Sequence, residues 1–143
     1  MIAIGSDHGG YGLKQRIIKY LEEREIPYED MGCHSPESCD YPKHGQAVAR
    51  AVAQGRCRRG IVICTTGVGM SICANRVPGI RCALCTDTLS ARLTRLHNDA
   101  NMLALGAGIL GENLALDIVD TFLNTEFSGE ERHIRRIGLI DKP

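Results

Sequence analysis

The sequence predicts a single α/β domain, residues 1–143, in which helices cover both faces of a parallel sheet, and three observations carry that expectation. Apolar runs of strand length alternate with longer segments of helical periodicity along the whole chain. The run Ile61-Val62-Ile63 is β-branched and unrelieved by polar residues, the composition of a strand buried on both faces. It ends in Cys64-Thr65-Thr66-Gly67-Val68-Gly69-Met70-Ser71, a glycine-punctuated turn that leads into a helix, the strand-to-helix corner of such a fold.

The elements follow in order. Met1 to Ser6 reads as the first strand. Leu13, Ile17, Tyr20 and Leu21 recur at helical spacing, and Glu22 to Glu25 close that helix with charge. Ile26 to Gly32 fits a short second strand, assigned to an edge by Pro27 and its acids. His34 to Pro42 reads as a loop, and a helix follows through the alanine-rich Gln46 to Gln54. Gly60 to Cys64 is the third strand, with a helix beginning near Gly69. Ile80 to Leu84 is strand-like, and further alternation leads to a strand at Asn101 to Leu105. Leu110, Leu114, Ile118 and Phe122 mark a last long helix, and Gly129 to Pro143 is expected to pack as a charged extension.

Composition narrows the function classes. The 17 basic residues balance the 17 acidic ones, so nothing calls for nucleic acid or an anionic membrane as partner. No apolar run approaches the roughly 20 residues that span a bilayer. The N-terminus lacks the basic and apolar regions of a signal peptide. Seven irregularly spaced cysteines suit a reducing cytoplasm better than a disulfide framework. Cys82 and Cys85 have the spacing of a zinc knuckle without the second pair that a four-ligand site requires, so no metal is expected. Cys33, Cys39, Cys57, Cys73, Cys82 and Cys85 read as small apolar fillers or loop thiols.

Open parallel sheets bind ligands beyond the carboxyl ends of their strands. Ser6-Asp7-His8-Gly9-Gly10 follows the first strand and Cys64 to Gly69 follows the third. His97-Asn98-Asp99 adjoins the fifth and is expected to converge with them on the same sheet edge. Between Asp40 and Asp87 the chain has no acidic residue, so a general base near the glycine turn is Cys64, an imidazole, or a group from elsewhere. A thiolate beside backbone N–H donors suits proton abstraction next to a carbonyl, with the same donors holding the enediolate oxygen. A cysteine phosphatase would need arginine six residues after the nucleophile, where this chain has Met70. No Gly-Lys-Ser/Thr follows the glycines, and Ile72 stands where a dinucleotide fingerprint has its third glycine.

Six stretches together carry a resemblance: Gly5 to Gly10, Asp40-Tyr41-Pro42, Ile63 to Ser71, Ala74 to Arg81, His97 to Asn101, and Arg132-His133-Ile134-Arg135-Arg136. In this order the chain resembles the type B ribose-5-phosphate isomerases, within the group that includes the galactose-6-phosphate isomerase subunits. The resemblance implies a five-stranded, Rossmann-like three-layer αβα sandwich. It further implies a homodimer, or a tetramer built from such dimers, with active sites between subunits, no metal or other cofactor, and the interconversion of ribose 5-phosphate and ribulose 5-phosphate. It gives Cys64 the role of general base, and Thr66 with the N–H groups of Gly67, Val68, Gly69 and Met70 that of the enediolate cradle. His97 matches the group that opens the sugar ring, assisted by Asp7 and Thr66. His8, Arg132 and Arg136 match phosphate ligands, and Tyr41 and Asn98 match contacts to sugar hydroxyls.

The chain departs from the family in Thr65, where glycine is common, and this bears on which sugar is preferred. A six-carbon sugar phosphate such as allose or galactose 6-phosphate is the alternative substrate. A non-catalytic sugar-phosphate-binding module is the alternative class.

Overall fold

A computed structural model describes all residues, 1–143. Five strands form one parallel sheet in the order β2-β1-β3-β5-β4. They are β1 (Ile2–Ser6), β2 (Tyr28–Asp30), β3 (Arg59–Cys64), β4 (Cys82–Leu84) and β5 (Met102–Gly106). The helices are α1 (Tyr11–Glu23), α2 (Tyr41–Ala53), α3 (Val68–Asn75), α4 (Thr88–Asn98), α5 (Glu112–Asn124) and α6 (Glu131–Asp141), with one turn of 3-10 helix at His8–Gly10. The three-layer α/β sandwich expected from the sequence is the one found.

The two faces of the sheet follow from strand alternation. Ile2, Ile4, Ile61, Ile63, Leu103 and Leu105 point to one side and form a core with α1, α4 and α5. Ala3, Val62, Cys64, Met102 and Ala104 point to the other, against α2 and α3. Every residue of β1 and β5 is buried, as strands covered on both faces require. The two edge strands have three residues each, and β2 is only half-buried. Short, partly polar edges limit the row of unpaired backbone groups open to a passing strand.

Three expectations change. The second helix starts at Tyr41, five residues before the alanine-rich stretch, because Pro42 sits in its first turn, where the missing N–H costs no hydrogen bond. The fourth strand is reduced to Cys82–Leu84, since Arg81 is occupied by the Asn101 side chain, which accepts its backbone N–H at 2.9 Å. The charged tail is a helix. Its single buried residue, His133, packs on α4, and Arg81 reaches Asp141 at 3.0 Å near its end.

One buried charge holds β2 to the domain. Lys14 of α1 is fully buried, and its ammonium donates to both oxygens of Asp30 at 2.7 and 2.8 Å. Removing only one member of such a pair strands the other without solvent, whereas an apolar replacement for the buried member is far milder. Asp30→Ala is therefore expected to lower the unfolding free energy by about 3–5 kcal/mol, and Lys14→Met by clearly less. Urea denaturation of both variants checks this; equal losses would mean that the pair's charge is not what matters.

Candidate active site

The sheet order reverses direction between β1 and β3: the chain leaves β1 for β2 on one side and β3 for β5 and β4 on the other. A crevice opens at the carboxyl ends of such a neighbouring pair. Ser6 pairs with Ile63 there, so the residues that follow, Asp7 and Cys64, lie side by side at the mouth. The Asp7 backbone N–H donates to the Ile63 carbonyl at 3.2 Å, tying the two strand ends together.

Cys64 is 7% exposed, and its Sγ accepts the Gly67 N–H at 3.1 Å. That contact needs the chain to double back within three residues, which Gly67 allows by taking φ of 78°. Thr66 Oγ1 accepts the Val68 N–H at 3.2 Å. The first intrahelical bond of α3 runs from the Ser71 N–H to the Gly67 carbonyl, so the amides of Gly69 and Met70 precede the helical ladder. The turn thus sets the Gly67 N–H on the sulfur and the positive end of α3 beside it, a setting that stabilises negative charge on a thiolate or on an enediolate oxygen.

The walls come from three other segments. Asp7, 8% exposed, caps the 3-10 turn by accepting the Gly10 N–H at 3.0 Å. His8 is exposed, and its Nδ1 accepts the Cys39 N–H at 3.3 Å, which anchors the 33–40 loop to the site. Tyr41 opens α2 with its ring over Gly69, so close that a Cβ on Gly69 would lie 2.7 Å from the ring. Thr65 is exposed and fills the space between the Gly9 and Gly108 loops: a Cβ on Gly9 would lie 2.4 Å from its hydroxyl.

The second group of expected residues is elsewhere, which corrects the expectation that all converge on one edge. α4 runs from the carboxyl edge of the sheet back to its amino edge, because a helix joining parallel strands must return the chain to the start of the next strand. His97 and Asn98, at its end, therefore lie beside the start of β5, at the level of Gly60. Cys64 is four residues further along β3, and at roughly 3.3 Å per residue that is roughly 13 Å of strand. α6 packs on the same end of α4, and the Ser128 N–H donates to the Leu96 carbonyl at 3.2 Å. Arg132 and Arg136 are exposed there, Arg132 holding Glu130 at 2.9 Å. Asn98 Oδ1 accepts the Thr94 hydroxyl at 3.0 Å.

Two contributors were not assigned a role from sequence. Arg95 is buried and ties the end of α4 together, donating to Asp99 Oδ1 at 2.8 Å, the Ala100 carbonyl at 2.6 Å and the Thr125 carbonyl at 3.0 Å. His133 stacks on His97 with 4.4 Å between ring centroids. The only sequence signal for His133 is the spacing Arg132-His133-x-x-Arg136, which says nothing of burial, and Arg95 lies outside every stretch singled out from the sequence. The remaining thiols are all free, and burial pushes that of Cys85 up to about 11, Asp87 adding to it.

Gly67→Ala tests the turn. An alanine at φ of 78° is strained, and its Cβ would lie 2.9 Å from the Leu105 carbonyl carbon, which is backbone and cannot yield cheaply. Thermal and urea unfolding are expected to register a loss of about 1–3 kcal/mol; an unchanged midpoint would mean that the turn is not held as described.

Comparison with known proteins adds an independent line. The family described as Ribose/Galactose Isomerase matches residues 2–140. The chain is 46% identical over 139 residues to the ribose-5-phosphate isomerase B of Escherichia coli, covering 97% of this chain and 93% of that one. It is 42% identical over 130 residues to a D-erythrulose-4-phosphate isomerase of Pectobacterium atrosepticum, covering 90% and 85%. The solved structure of the Clostridium thermocellum ribose-5-phosphate isomerase B superposes with a TM-score of 0.97 at 57% identity, covering 99% and 95%.

Proposed function

The chain belongs to the ribose/galactose isomerase family of enzymes, and within it we propose an aldose–ketose isomerase of ribose 5-phosphate and ribulose 5-phosphate. The observation that carries the reading is the Cys64 sulfur held by the Gly67 N–H at the start of α3, beside Asp7. As thiolate, Cys64 takes the proton from C2 of the open-chain aldose. The electrons of the C–H bond form the C1=C2 double bond, and negative charge develops on O1. The proton is then returned to C1 while the O2 proton passes to O1, leaving O1 as a hydroxyl and O2 as the ketone carbonyl. In the Gly67 to Met70 cradle the amides of Gly69 and Met70 and the Thr66 hydroxyl hold the enediolate oxygens, while those of Gly67 and Val68 brace Cys64 Sγ and Thr66 Oγ1.

In this reading His97 opens the furanose by moving a proton between the anomeric hydroxyl and the ring oxygen, with Asp7 and Thr66 assisting. His8, Arg132 and Arg136 hold the phosphate, and Tyr41 and Asn98 contact hydroxyls. The sheet separates these two sets within a chain, so the reading includes a homodimer in which each site joins one subunit's Cys64 to His97 of the partner subunit. A two-fold axis brings the carboxyl edge of one copy to the amino edge of the other, twice over. The exposed apolar side chains support it: Val68, Ile72, Leu84 and Leu89 flank the carboxyl edge, and Ile134, Leu139 and Ile140 lie on α6. The similarity to a D-erythrulose-4-phosphate isomerase supports a second substrate length, and Thr65, which narrows the crevice beside Cys64, is placed to influence it.

A coupled assay with ribose 5-phosphate, run against four- and six-carbon sugar phosphates, tests the substrate class. Cys64→Ala is expected to lose about 10²–10⁴-fold in kcat and keep its substrate affinity. Unfolding and refolding it together with His97→Asn should restore about a quarter of wild-type activity, since random pairing leaves one intact site in half of the dimers. No recovery from two individually inactive, folded variants would mean that sites are not shared.

The arginines have their own control. Losing one charged hydrogen-bonding partner of the phosphate is expected to lower kcat/KM for ribose 5-phosphate by about 10–150-fold in Arg136→Ala. Lysine in its place should recover only part, having no planar fork for two oxygens. Free ribose lacks the phosphate and should be far less affected; equal slowing of both sugars would make the arginine structural.

A further inference from the structure

A second imidazole shares the amino edge with His97 and has no part in the chemistry above. His133 is 4% exposed, while Arg132 and Arg136 on its own helix are exposed. Its ring lies against His97, inclined by 38°. A buried polar side chain requires a partner, and the Ser128 hydroxyl oxygen stands 2.7 Å from Nδ1. That oxygen already accepts the Glu130 backbone N–H at 3.2 Å. The hydroxyl hydrogen can then donate to Nδ1, the arrangement in which a neutral His133 carries its proton on Nε2.

We infer that His133 is the positioning residue for His97: Ser128 fixes its tautomer and ring plane, and its buried face holds the His97 ring in one orientation toward the sugar. The inference rests on the reading that His97 opens the ring. A neutral His133 is what the surroundings favour. It faces His97 from α4, and Glu130, Arg132 and Arg136 from its own segment. Burial lowers its proton affinity first, His97 next, and the two arginines add to them; only Glu130 opposes. A cationic His133 would also lose the acceptor nitrogen that Ser128 uses, and would place one more positive charge among His97, Arg132 and Arg136. The residue thus supplies a rigid uncharged wall where three basic groups must converge on one sugar phosphate.

Ser128→Ala tests this with little risk to folding, because the hydroxyl belongs to an exposed residue. Side-chain ¹⁵N NMR of the wild type is expected to give His133 as the neutral Nε2–H form at pH 7, and the variant as a mixture of tautomers. On ribose 5-phosphate, kcat should fall about 2–10-fold, the kinetic equivalent of one neutral hydrogen bond, with KM unchanged and the His97 limb of the pH profile displaced. Ser128→Thr, which keeps the hydroxyl, should restore both. A wild-type His133 that is cationic or carries its proton on Nδ1 overturns the inference, as does an unaltered kcat and pH profile in Ser128→Ala. His97→Asn separates the two levels. Full turnover of ribose 5-phosphate by that variant removes the ring-opening reading itself. Its loss, with Ser128→Ala indistinguishable from wild type, removes only the positioning role.

Discussion

A helix that links two parallel strands must run against them, and this constraint decides where every reactive group of the domain stands. Strand ends deliver Asp7 and Cys64 to the carboxyl edge of the sheet. The end of a returning helix delivers His97 to the amino edge. No local rearrangement brings the two together, because β3 is locked between β1 and β5 by a full parallel ladder. The division also explains why each edge is finished with its own anchoring. Asp7 and Gly67 hold the first set, and the buried guanidinium of Arg95 holds the second by binding the Ala100 carbonyl just beyond α4 and the Thr125 carbonyl just beyond α5.

The electrostatic design is local. With no net charge on the chain, the proposed reading draws its attraction for an anionic sugar from short-range features: backbone amides at the start of α3, and the guanidinium groups of α6. The stretch from residue 41 to residue 86 carries no carboxylate, so nothing acidic from that segment competes with a thiolate for the donors at the turn. The donors are also held from behind. The Cys64 carbonyl accepts the Ala107 N–H at 2.9 Å and the Thr65 carbonyl accepts the Gly108 N–H at 2.8 Å, so the turn after β3 is braced by the turn after β5. Preorganisation of this kind is what allows fixed dipoles to stabilise a charge that exists only in passing.

Most of the fold was legible in the sequence, because burial imposes a period on the chain. The unbroken Ile61-Val62-Ile63 and the spacing of Leu13, Ile17 and Leu21 announced a doubly covered strand and an amphipathic helix before any contact was known. The turn from Cys64 to Met70 was readable for a similar reason, since glycines at those positions have a backbone meaning independent of tertiary context. Less legible were the elements whose local signal is weak. The start of α2 was hidden behind the loop-like composition of residues 34–42, and α6 exposes most of its apolar side chains, so that its charge outweighed its period.

What the sequence determined by itself was the chemistry available: a thiol at a glycine turn, imidazoles, paired arginines, and a layered α/β frame to carry them. Which of these groups share a site was decided only in three dimensions. Position along a chain does not say which edge of a sheet a residue reaches; that depends on the direction of the element carrying it, and α4 runs opposite to the strands. The same holds for His133 and Arg95, whose burial arises from two helices meeting at one end and leaves no trace in local pattern. Sequence encodes the period and polarity of each element, while proximity between elements is a property of their packing.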